Sequence, residues 1–161
     1  MSLYIRLVTA LSRLGGVFAI LLTASAALVV TQMVFMRYVL NASTVWQTEY
    51  VIYALVAATF IGSPYVLLEK GHVNVDLLQT GAPENVKRTM KLLSGLVGIA
   101  FCALLAYSGW MYFHEAWEGG WRTETVWAIP LWIPLLPLPL GIGLLVLQYI
   151  AEIMKLFGED A

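Results

Sequence analysis

The side chains in this chain that could ligate a metal, hold a haem or move a proton are few, and their spacing works against each of those chemistries. His72 and His114 are the only histidines. A long apolar run lies between them, which sets them at opposite membrane faces, roughly 30 Å apart. They cannot jointly ligate one metal or one haem. The lone Cys102 sits inside the same apolar run, excluding an internal disulfide and any cysteine metal cluster. A Gly-rich phosphate loop, an HExxH pair and a nucleophile elbow are all missing from the sequence. Neither an enzyme nor a cofactor protein is indicated.

One apolar segment, residues 50–68, carries an unusual polar cluster at each end. At about 1.5 Å per residue this segment spans about 28 Å, close to the hydrocarbon thickness of a bilayer. Arg37, Asn41, Trp46, Gln47 and Glu49 crowd one end, and Glu69, Lys70, His72, Asn74 and Asp76 the other. An Arg37–Glu49 ion pair could lock the first two helices together; alternatively both side chains are solvated among the lipid headgroups.

Composition demands a membrane to hold these residues. The chain has 161 residues, 60% hydrophobic and 12% charged, against about 25% charged in soluble domains. The expected fold is all-α and integral to the membrane, with uncharged crossings at 15–36, 50–68, 92–113 and 126–151 and short surface-lying amphipathic helices beside them. One such helix is expected before the first crossing, where Leu3, Ile5, Leu7, Val8 and Leu11 interleave with Arg6 and Arg13; a frayed leader is the plainer alternative. A cleaved signal peptide ending near Ala24, Ser25 and Ala26 also fits, but the apolar run continues well past that point. The third helix should begin near Pro83, with proline at its first position and Glu84 in its first turn. Pro130, Pro134, Pro137 and Pro139 cannot all sit in one undisturbed helix, so a broken start is expected before a regular helix from about Leu138, unless the helix is merely kinked.

Orientation follows from the basic residues. Arg6, Arg13, Lys70, Lys87, Arg88, Lys91 and Lys155 fall on one side of these crossings, Arg37 and Arg122 on the other. The positive-inside rule then puts both termini in the cytoplasm. Trp46, Trp110, Trp117, Trp121, Trp127 and Trp132 all fall toward the opposite side, as an aromatic belt or as a protein contact surface. Small residues recur at four-residue spacing in Ala19, Thr23, Ala27 and Thr31 and in Ser94, Gly98, Cys102 and Ala106, which permits close helix packing within this chain or against another. The net charge of -1 argues against a nucleic-acid surface. The short loops leave no obvious cavity for a hydrated solute.

Arg37 and Tyr38 with Asn41, then Trp46 and Glu49, then Gly71, His72, Val73, Asn74, Val75 and Asp76, resemble in order and spacing the small membrane subunit of tripartite ATP-independent periplasmic (TRAP) transporters, the DctQ-like family. Where members often carry two consecutive acids after the tryptophan, this chain has Thr48 and Glu49. The resemblance implies a heteromeric inner-membrane secondary transporter. A periplasmic binding protein would capture a small organic anion, often a carboxylate, and a large membrane subunit would move it on a sodium gradient. This chain would brace that subunit among the membrane lipids, with Arg37, Tyr38, Asn41, Trp46, Glu49, Gly71, His72 and Asp76 as subunit-contact or structural residues and no substrate-binding, catalytic or metal residue of its own. Two other classes stay open: a self-sufficient small transporter, which would need a charged site inside a crossing, and a haem-carrying anchor of a redox complex using His72 or His114.

Overall fold

A computed structural model describes residues 2–69 and 83–158 of the chain. They form α1 (Ser2–Tyr38), α2 (Val45–Leu68), α3 (Glu84–Glu118), a short α4 (Trp132–Leu135) and α5 (Pro137–Gly158), with no strand among the described residues. Among the described residues four segments are long and apolar enough to cross a membrane: Leu3–Tyr38, Val45–Leu68, Val86–Glu118 and Trp132–Leu156. The all-α membrane architecture expected from composition is present.

The N-terminal stretch departs from expectation. α1 is one unbroken helix of 37 residues, about 55 Å long, so its first turns are not a separate surface-lying piece. No proline or polar stop interrupts the pattern. Gly15 and Gly16 are buried against Ile61 and Tyr65 of α2 and do not act as a hinge. Residues 24–26, the alternative cleavage point, lie mid-helix; Ala26 is buried and Ser25 shares a 2.8 Å hydrogen bond with the Tyr50 hydroxyl.

Proline placement shapes the other helices. Pro83 stands at the N-cap of α3, where the backbone N–H groups of Val86 and Lys87 return to its carbonyl at 2.9 and 3.1 Å. Pro130 pairs with Arg122 in an isolated antiparallel bridge, Pro134 lies in α4, and Pro137 and Pro139 lie in the first turn of α5, where a helix needs no donor. The fourth span therefore begins at Trp132 rather than at residue 126, and it extends to Leu156, taking in Glu152 and Lys155.

Between apolar helices in lipid, close packing replaces water exclusion as the cohesive force. α1 and α2 form an antiparallel hairpin; α5 packs against both, and α3 packs on α5. Along the α3–α5 contact Gly109 faces Leu138, Gly98 faces Tyr149 and Gly95 faces Ile153, an antiparallel register running the length of both helices. Of the small-residue stripe on α3, Gly98, Cys102 and Ala106 pack within the chain, Cys102 in a core with Ile142 and Leu145, while Ser94 is exposed. On α1, Ala19 meets Gly62 of α2 while Thr23 and Ala27 remain exposed beside it.

Pro64 within α2 has a consequence for α5. Its missing N–H frees the Phe60 carbonyl, which accepts the Ser63 hydroxyl at 2.9 Å. Gly141 of α5 sits directly against that same carbonyl, where an added Cβ would collide with backbone.

At the end of the bundle where α1 begins and α5 finishes, a polar chain crosses between helices. Ser12 Oγ donates to Gln148 Oε1 at 2.8 Å, Gln148 Nε2 donates to Glu152 Oε1 at 2.9 Å, and Lys155 Nζ lies 2.6 Å from the same oxygen. The Tyr4 hydroxyl donates to the Leu147 carbonyl at 3.0 Å. Ser12 and Gln148 are both fully buried, so their pairing satisfies groups that lipid cannot.

Candidate functional site

The polar cluster at the opposite, tryptophan-rich end is assembled from three chain segments. α1 ends at Tyr38, and the chain reverses through Asn41, whose φ of 48° lies in the left-handed region. Asparagine tolerates that conformation because its short polar side chain avoids the crowding a branched residue meets. Asn41→Val is expected to cost about 1–2 kcal/mol, read as a lower unfolding temperature in detergent; no change would show that the turn has another accessible conformation.

α2 then starts directly after Thr44. Arg37 in the last turn of α1 reaches forward, and its Nη2 donates to Thr44 Oγ1 at 2.8 Å. Glu49, one turn into α2, is 6% exposed, and its Oε2 accepts the Thr125 hydroxyl at 2.8 Å. Neither arrangement open to Arg37 and Glu49 from the sequence is adopted: they make no ion pair, and Glu49 is buried rather than solvated. The reason lies in the loop between α3 and α4.

That loop folds back on itself. Thr123 N–H bonds the Ile129 carbonyl at 3.0 Å, Leu131 N–H the Trp121 carbonyl at 2.8 Å, and Ala128 N–H the Thr125 carbonyl at 3.0 Å. Gly120 and Ala128 take positive φ of 58° and 43° to close the turns. The tip so formed carries Thr125 to Glu49 and sets Trp127 beside Trp46, ring centroids 6.2 Å apart. Trp117 and Trp132 stack edge-on at 4.7 Å close by, so the tryptophans make contacts among themselves as well as lining this end.

Two buried oxygens here have no partner among the described residues: Oε1 of Gln47 and Oε1 of Glu49. An open cleft of about 630 Å³ lies over Glu49, bounded by Arg37, Thr44, Thr48, Glu124 and Val126. A second, of about 720 Å³, runs between α1 and α2 along Gly16, Ala19, Thr23, Ala58 and Gly62. Both are open clefts on the surface of the bundle and not enclosed cavities. Small side chains leave the α1–α2 groove open at the surface while the two helices stay in close contact beneath it, and the loop tip spans the polar cluster without filling it.

Of the residues singled out in the sequence, Arg37, Tyr38, Asn41 and Trp46 are exposed and Glu49 is buried, all at this end. Gly71, His72 and Asp76 lie outside the described residues. His114 is exposed on α3, 3.6 Å from Glu118. Sequence reading missed Thr44, Thr125 and, at the far end, Ser12 and Gln148. Only Thr44 carried a signal, as a threonine directly before a helical run.

With four membrane-length helices, and with polar groups gathered at the ends of an uncharged 50–68 segment, the chain is a multi-pass membrane protein. Residues 26–159 match the family of tripartite ATP-independent periplasmic transporters, DctQ component. The chain belongs to that family, a transporter subunit family and not an enzyme family. It is similar to the C4-dicarboxylate TRAP transporter small permease protein DctQ of Vibrio cholerae, at 25% identity over 138 residues and 73% of this chain. It spans 60% of the length of that relative.

Proposed function

We propose that this chain is the small membrane subunit of a TRAP transporter in the bacterial inner membrane and braces a large subunit that carries the solute. The solute would be a small organic anion such as a carboxylate, in keeping with the C4-dicarboxylate named for the similar protein. A periplasmic binding protein delivers it, and a sodium gradient drives its uptake. The observation that carries this reading is the family match over 26–159. The charge distribution supports it: residues 50–68 and 92–113 contain no ionisable acid or base other than tyrosine and Cys102, so a charged solute would find no charged site along them. Affinity purification in mild detergent with mass analysis is expected to recover a larger multi-pass membrane protein with this chain. Recovery of the chain alone would contradict the reading.

In this assembly both termini face the cytoplasm and the tryptophan-rich end faces the periplasm, as the basic residues direct. Single cysteines at Gly81 and Gly119 in a Cys102→Ala background test it. An impermeant thiol reagent applied to intact cells with a permeabilised outer membrane is expected to label position 119 and spare 81. The reverse pattern would invert the topology.

A further inference from the structure

We infer that the cleft over Glu49 receives a cationic side chain, arginine or lysine, from the partner membrane subunit, and that the Glu49 carboxylate is its counter-charge. The inference rests on the proposed role as a bound subunit and names the contact by which it binds. Glu49 is 6% exposed, yet only its Oε2 is satisfied, by Thr125 at 2.8 Å; Oε1 is shielded from water and unpartnered among the described residues. A shielded carboxylate oxygen without a donor is unfavourable, and docking that delivers a charged donor removes the penalty. The internal candidate, Arg37, already donates its Nη2 to Thr44 and makes no ion pair with Glu49. The cleft walls hold two carboxylates, Glu49 and Glu124, against one guanidinium, Arg37, so a single added cation balances them.

The rim matches a protein contact rather than a small-ion site. Val45, Ile52 and Val126 line the cleft and are all exposed, Val126 to 83%, and the residues next to Val45 and Val126 in the chain, Trp46 and Trp127, form an exposed tilted pair at 6.2 Å. Aromatic and aliphatic side chains ringing a desolvated charge are the usual surround of a strong interface contact, because they exclude water from it. The loop tip that carries Thr125 and Val126 also holds Ala128 at a φ of 43°, a backbone conformation maintained only where surroundings enforce it.

The test uses the chain co-expressed with its membrane partner. Glu49→Gln is expected to lower the partner recovered per chain by about tenfold or more, while the isolated variant keeps the unfolding temperature of the native chain. A photo-crosslinking residue at position 126 is expected to join a partner segment containing an arginine or lysine. Neutralising that residue should reproduce the Glu49→Gln loss, and the two changes together should lose little more, as expected for one shared contact. If Glu49→Gln does not fold, the crosslink and the partner-side variant decide alone. Native recovery with Glu49→Gln, a crosslink only to lipid, or a sodium-dependent, Glu49-dependent rise in the unfolding temperature of the chain without partner would each overturn the inference. A native chain that recovers no membrane partner would instead fail the bracing role, and this contact with it.

Discussion

Replacing Gly141 by leucine is expected to destabilise the purified protein by about 3 kcal/mol, a fall of roughly 6–12 °C in unfolding temperature for a chain of this size. The effect is large because the obstacle is backbone. A side chain at 141 meets the Phe60 carbonyl and the Ile61 nitrogen of α2, which no rotamer change can move aside. Relief requires α5 to separate from α2, and α5 is the helix that joins α3 to the α1–α2 hairpin. In lipid that separation loses packing that hydrophobic exclusion does not restore. Gly141→Ala should show a smaller loss in the same direction. Thermal unfolding in detergent checks both, and a leucine variant as stable as the native chain would show that α2 and α5 do not approach this closely.

Gln148→Leu is expected to cost about 1–2 kcal/mol. Gln148 is fully buried and serves two helical turns at once, accepting from Ser12 of α1 and donating to Glu152 of its own helix. Leucine fills similar space but leaves the Ser12 hydroxyl and one acceptor site on Glu152 without that partner. Serine can fall back on a carbonyl of its own helix, so Ser12→Ala should cost less than Gln148→Leu. Lys155 continues to hold Glu152 in either variant. Unfolding temperatures measured for both substitutions and for the pair give the coupling between them. A stability gain in Gln148→Leu would mean that the polar chain is tolerated rather than cohesive.

What could be read from the sequence follows from what is local in it. Uncharged runs of bilayer length marked the crossings, Pro83 the start of α3, and the proline cluster the broken approach to α5. The tryptophans gathered at one end because all six lie near the same helix ends. The unbroken α1 was hidden because arginines within an apolar pattern read equally as a helix on a surface and as one that continues into a span. At the candidate site, Arg37 and Glu49 suggested each other by charge and proximity. The partner that Glu49 takes, Thr125, lies 76 residues away on a loop whose fold no local pattern specifies. Ser12 and Gln148 are 136 residues apart, and each alone is an unremarkable polar residue in an apolar run. The close approach at Gly141 depends on the carbonyl freed by Pro64 on another helix, a relation between two segments that only the packed structure displays.

The central claim is that this chain transports nothing alone and works as a brace for a larger subunit. Solute uptake into liposomes under an inward sodium gradient tests it most directly, with C4-dicarboxylate as the first solute, using the chain alone, the large membrane subunit with the binding protein, and all three together. Uptake is expected only from the complete set. Uptake by the chain alone, or full activity of the other two components without it, would contradict the account.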